Sequence, residues 1–462
     1  AALGPAESER RHGRRTPESR NATMTATLVA ILSLTVLGIP ITLAADRRAR
    51  GTLLVGASFL YGSGAMFIVL LALSFAHLRW TLISVTATAL AVFVIAAMIA
   101  IRHPTPDNRQ RAAGAHVFDL VTLLTLTGYA LYATLASLWE WDFWAIWGLK
   151  AKAFFEVGGI DWRFLDSRWN TFTHPDYPLL VPLNFDFVAL VNGGWSDRWL
   201  GLLFVAWGVA LLLILRALAS RETSPFFASL LTLALASLAV SRYVGLAEGA
   251  LIAFGSAGVL FVRTALRDDD AAAWRHGALM LGFAANCKNE GMALLAAVTI
   301  AVGAVSWSRG RARLLNLWPA FALAVPWLLL RATHALPTDI IGGSAVSRLL
   351  ARLPYTHEIL AFLAARLYEP WFWMAILAGF LIAPAAARRR ELFVLLVTAI
   401  QLTFYVVAYL STPHNLRWHV LTSWSRLTGQ IAVPITFAVF LMLANSLRGG
   451  QDAPHAEARP DE

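Results

Sequence analysis

The stretch GALMLGFAANCKNEGMALLAAVTIAVGAVS, residues 277–306, is apolar over about 30 positions except at its centre, where Lys288, Asn289 and Glu290 follow Cys287. A single membrane helix through it would leave a lysine and a glutamate near mid-bilayer, an expensive place for either. Two short helices meeting in a tight turn, with Gly291 as the breaker, carry those charges to one membrane face instead. That reading fixes the parity of every later crossing.

The flanking sequence agrees with a membrane setting. Of 462 residues, 58% are hydrophobic and only 14% charged, with a mean hydropathy of +0.61. A soluble protein carries about a quarter charged residues. Apolar runs long enough to cross a bilayer fall at about 25–44, 53–75, 81–101, 117–138, 198–217, 225–241, 246–264, 314–332, 371–387, 391–410 and 429–447. With 277–306 counted as a pair, the prediction is an all-α polytopic transmembrane protein of about 13 spans. The formal charge of +10 then speaks to topology and lipid phosphates rather than to nucleic acid. The lone Cys287 excludes an internal disulfide, and the 11 histidines show no HxxxH or HExxH spacing.

Short basic connections set the orientation: 46–51 (DRRARG), 102–111, 216–221, 263–275, 309–313 and 388–390 all fall on one side. The positive-inside rule makes that side the cytoplasm. The Arg-rich arm 1–23 then lies outside, against the rule, so translation is expected to begin at Met24 with the arm not native. The polar segment 449–462 reads as a disordered cytoplasmic tail. The long connections 139–197, 333–370 and 411–428 share the outer face. Eight of the 18 tryptophans lie from Trp139 to Trp199, a density suited to helices lying in the headgroup layer, and 176–194 within the first connection reads as one such interfacial helix.

Charge placement marks the candidate site. Only three of 38 basic residues are lysine, Lys150, Lys152 and Lys288, and all lie on the outer side beside carboxylates. If 140–155 is a regular helix, a step of about 100° per residue puts Lys150 and Lys152 roughly 80° to either side of Asp142. The bland alternative is an amphipathic helix whose charges face water. At the same depth come Glu140, Arg242, Glu248, Glu290, His174, Asp176 and Tyr177, and, before the last span, His414, Arg417, His419 and Arg426. Singly these read as surface ion pairs. Jointly they form a ring of both signs suited to an anionic lipid head.

From about residue 117 onward the chain resembles the GT-C superfamily of polytopic glycosyltransferases, among them bacterial relatives of protein O-mannosyltransferases and of the lipid A aminoarabinose transferase. Glu140-Trp141-Asp142 is similar to their acidic ExD element after a span, Tyr177-Pro178-Leu179 to their Tyr-Pro-Leu element, and Lys288 in CKNEG to a lysine at a tight outer turn. The region 117–448 would be the catalytic core, and 24–116 three additional helices that the family pattern lacks. The resemblance implies transfer of a sugar from a polyprenyl-phosphate donor to a lipid or glycan acceptor by inverting single displacement. The setting would be the outer face of a bacterial inner membrane, among membrane lipids. Asp142 would be the base, with Glu140 beside it, and Lys150, Lys152, Lys288, Arg242, Arg417 and Arg426 would receive the donor phosphate. No cofactor is required by the pattern, although Glu140 with Asp142 is compatible with a divalent metal. On this reading Asp142→Asn abolishes transfer with donor binding near normal. The rival class is a transporter or flippase of a lipid-linked or anionic solute, kept alive by Glu248 and Glu290.

Overall fold

The computed structural model describes residues 23–102, 114–135, 138, 140–240, 245–306, 310–336, 344–367 and 369–449. The predicted arm 1–23, apart from Thr23, and the tail beyond Gly449 lie outside these, as does Arg242. Among the described residues the chain is all helical, with no strand.

Among the described residues eight helices are long and apolar enough to cross a membrane, or nine if the bent pair 345–365 and 370–382 counts as one span, and all eight coincide with predicted spans. They are α1 (Met24–Ala45), α2 (Gly51–Phe75), α3 (Leu82–Arg102), α4 (Val117–Leu135), α8 (Asp197–Ser220), α10 (Glu248–Asp268), α19 (Leu392–Ser411) and α20 (Leu416–Gly449). The remaining predicted crossings fall on shorter helices: α9 (Pro225–Val240), α11 (Ala271–Ala285), α12 (Asn289–Val305), α14 (Trp318–Thr333) and α17 (Pro370–Ile382). At about 1.5 Å per residue, a 16-residue helix such as α9 spans only about 24 Å, less than a hydrocarbon core of about 30 Å. Length separates α9, α12 and α14 from the eight, whereas α11, which carries Arg275 and His276, is also more polar.

The connection 139–197 folds into a π-helical turn (Phe143–Trp147), α5 (Gly148–Val157), α6 (Trp162–Asp166), a 3-10 turn (Arg168–Thr173) and α7 (Leu180–Asn192). The sequence suggests that α7 lies on the bilayer surface. It instead packs inside the bundle, with Leu180 to Ala189 all buried. Its prolines do not prevent this: Pro178 precedes the helix, and Pro182 sits in the first turn, where a missing N–H is harmless. Asp186 is buried with it, and neither carboxylate oxygen has a hydrogen-bond partner in the protein.

The short helices α13 (Gly310–Leu315), α15 (Ala345–Arg352), α16 (Thr356–Ala365) and α18 (Ala385–Arg390) complete the chain. The segment 411–428, read as a loop, is mostly the start of α20. It has neither glycine nor proline between Leu416 and Thr428, and its polarity marks a face rather than a break.

α10 is buried along nearly all of its length and forms the axis of the bundle. Its two ends gather different turns. At one end Arg48 meets Asp270 at 2.8 Å, Arg216 meets Asp119 at 3.0 Å, and Arg263 bridges Glu222 and Glu391. At the other, Lys288 meets Glu248, Arg426 meets Asp142, Asn289 donates to Asp176, and the Trp80 N–H donates to Gly158 O. Among the described residues the basic turns near 46–51, 216–221 and 263–275 thus gather at one end and the turns holding Asp142, Asp176 and Lys288 at the other.

Candidate functional site

The second of these ends encloses a cavity of about 690 Å³, within the size range of small-molecule sites. Three walls, built from four parts of the chain, line it together with Leu246.

The first wall is Glu140, Trp141, Asp142 and Ile146. Asp142 stands immediately before the π-turn. Phe143 anchors that turn by packing on Phe185 of α7 at a centroid distance of 5.9 Å. It also fits beneath Gly245, whose φ of +107° and lack of a side chain both matter, since a Cβ there would lie 2.6 Å from Phe143 Cβ. A π-turn advances less per residue than an α-turn, so the regular-helix projection fails beyond it. Lys150 and Lys152 therefore do not flank Asp142. Lys150 is fully buried, donates to His174 O at 2.7 Å and lies over the rings of Trp147 and Tyr177. Lys152 is half-buried and does not line the cavity.

The second wall is the loop before α7. His174 adopts a left-handed backbone, φ +51°, and its ring stacks on Tyr177 at 4.7 Å, which stacks in turn on Trp147 at 5.4 Å. His174 and Tyr177 face the cavity, with Lys150 and Asp176 behind them. Asp176 accepts from Asn289 at 2.9 Å and, through its backbone carbonyl, from Trp327 at 3.2 Å, so it ties the loop to α12 and α14. Burial lifts its carboxyl above the ordinary range despite Asn289 and Arg331. Burial also pushes the Lys150 amine down to about 7, with only a partial offset from Asp176.

The third wall combines Lys288 with the first turns of α20. Gly291 does not break a helix, as the sequence suggests. It lies inside α12, where a Cβ would come within 1.9 Å of Ala284 O, so its role is to let α11 and α12 approach at the turn. Lys288, capping α12, is held by Glu248 at 3.0 Å and Glu290 at 2.8 Å. Burial opposes its charge, but the two carboxylates outweigh it and keep the ammonium well above the ordinary range. On α20, His419, Thr422, Ser423 and Arg426 present one face to the cavity, and Trp418, Ser425 and His414 complete the wall. Arg426 Nη1 lies 2.5 Å from Asp142 Oδ2, and its Nε lies 3.7 Å from Glu248 Oε1.

Of the residues singled out in the sequence, Glu140, Asp142, His174, Tyr177, Lys288, His414, His419 and Arg426 therefore share one cavity. Glu248 and Glu290 stand directly behind Lys288. Arg417 is exposed and outside the lining. Behind Glu290 the polar network continues through residues that sequence reasoning missed. Gln401 donates to Glu290 O at 3.3 Å and to the Tyr405 hydroxyl at 3.0 Å, and Tyr405 donates to Gln430 at 2.8 Å. Their signal is spacing: Gln401 and Tyr405 are four apart on α19, and Gln430 is four beyond Arg426 on α20.

The arrangement can hold a phosphate-sized anion next to a carboxylate able to take a proton. Among the described residues no group of three or more His, Cys, Asp or Glu is placed to hold a metal ion. No protein-family model, curated protein or solved structure matches this chain.

Proposed function

We propose that this chain is an integral membrane glycosyltransferase that moves a sugar from a polyprenyl-phosphate donor to a cell-envelope lipid or glycan. On this reading it is a GT-C-like protein of about 13 crossings, with the short helices completing the count. The cavity opens at the extracytoplasmic face of a bacterial inner membrane, because the opposite end carries the compact basic turns. Among the described residues the outer connections form no separate domain to bind a polypeptide acceptor, which argues against one.

One observation carries the reading. Asp142, Lys288 and Arg426 come from distant parts of the sequence, yet they meet at a single cavity walled by charges of both signs. In the reaction the acceptor hydroxyl oxygen bonds to the sugar C1 as the bond from C1 to the phosphate oxygen breaks. The hydroxyl proton passes to Asp142, and the lipid phosphate departs with the bonding electron pair. Lys288 and Arg426 lie where that phosphate gains charge, so they stabilise the transition state more than the ground state. Glu140 shares the acidic side of the cavity.

Transport of a lipid-linked solute draws less support. A transporter places its charges on broken helices at mid-membrane, whereas Glu248 begins α10 and Lys288 caps α12, both at helix ends. Purified protein in detergent, with no second compartment, separates the two classes. Consumption of an undecaprenyl-phosphate sugar together with a suitable acceptor supports transfer. Mass spectrometry of envelope glycolipids with and without the gene names that sugar and acceptor. Unaltered glycolipids and no turnover in detergent would end the transferase reading.

A further inference from the structure

Neither fixed cation at the cavity waits free for an anion. Lys288 is held by Glu248 and Glu290, and Arg426 by Asp142, with Glu248 close to its Nε. Three carboxylates thus already outnumber the two cations before any phosphate arrives. The three are not equally fixed. Glu248 is fully buried at the start of α10, and Glu290 lies in the first turn of α12. Asp142 lines the cavity and accepts a hydrogen bond from Arg426.

A phosphate and a carboxylate compete for the same guanidinium donors. We infer that the donor's lipid phosphate takes Arg426 from Asp142, so that arrival of the anion itself frees the carboxylate that receives the acceptor proton. The inference rests on the transfer reading above. No covalent bond changes in this step: one ion pair replaces another, and Asp142 leaves unprotonated. In the empty cavity the base is masked, and an acceptor arriving first meets a carboxylate engaged by arginine. The productive order is therefore donor first, acceptor second.

The test uses the full chain in detergent micelles and undecaprenyl phosphate, without sugar, as titrant. From the sequence alone Asp142→Asn leaves donor binding near normal. With the ion pair in place, it is expected to tighten undecaprenyl phosphate by about tenfold, the scale of coupling between close charge pairs. In an Arg426→Gln background the same change should gain nothing. Glu140→Gln removes one charge from the same cavity and reports the general electrostatic gain, which should be smaller than that from Asp142→Asn. Should Asp142→Asn fail to fold, Asp142→Ser makes the same comparison. Unchanged or weaker binding by the Asp142 variant, an equal gain without Arg426, or an equal gain from Glu140→Gln would each overturn the exchange. A wild-type chain that binds no undecaprenyl phosphate would sink the transfer reading itself, a different result from intact binding with no gain.

Discussion

Asp142 and Arg426 stand 284 positions apart in the chain and 2.5 Å apart in space. The pair closes the cavity between the π-turn and α20, and it joins the proposed base to a proposed phosphate ligand. Arg426→Gln is expected to lower transfer by about 10²–10³-fold, the scale for removing one charge-stabilising donor. The check is a steady-state assay alongside undecaprenyl phosphate titration. Activity within a few-fold of wild type would remove Arg426 from the site.

Lys152 and Arg417 offer a contrast with Lys288. Neither of the first two lines the cavity, so Lys152→Ala and Arg417→Ala should each keep transfer within about twofold, as surface changes usually do. Lys288→Ala, which also strands Glu248 and Glu290, should lose about 10²-fold or more. Side-by-side rates on the three variants decide it, and equal losses would mean that the cavity has been wrongly delimited.

Lys150 gives a pH dependence whose sign follows from its burial. Its folded value of about 7 lies below the ordinary 10.5, so between the two the unfolded chain holds more protons. Stability should therefore rise as pH increases from about 7 towards 10.5, and the burden of a buried ammonium is fully present below 7. Thermal melting of wild type against Lys150→Met across that window should show the rise in wild type and a flatter profile in the variant. Parallel profiles would mean that the amine titrates normally.

Gly291→Ala places a methyl group 1.9 Å from the Ala284 carbonyl oxygen. The two helices must part to admit it, at a cost of about 1–3 kcal/mol. Melting in detergent should fall accordingly, and undecaprenyl phosphate binding should weaken because Lys288 rides on the same turn. A neutral substitution would show that the turn is wider than described.

Much of this was legible in the sequence because a bilayer imposes blunt demands. Length and apolarity gave the eight long helices, and the charges in apolar surroundings at Asp142 and Lys288 drew notice for the cost of leaving them there. What escaped was geometry between neighbours. Arg417 and Arg426 look alike in a loop, but on the continuous helix α20 their nine-residue separation puts them about 180° apart, whereas His419 lies within about 20° of Arg426. Asp186 and two prolines made α7 look peripheral, yet tertiary packing buried it from Leu180 to Ala189. Gln401 and Gln430 passed unnoticed because an uncharged amide in a span carries no alarm until its partners are seen.

The π-turn at Phe143–Trp147 can be regarded as a regular helix that has taken in one supernumerary residue. That single residue rotates everything after it by about a quarter turn or more, so Asp142 and the lysines obey no fixed helical interval. Pattern searches for kindred chains must let the acidic residue and the following lysine slip by one position. A deletion anywhere within the five residues would swing Lys150 off the face of Tyr177 while leaving composition and hydropathy almost untouched.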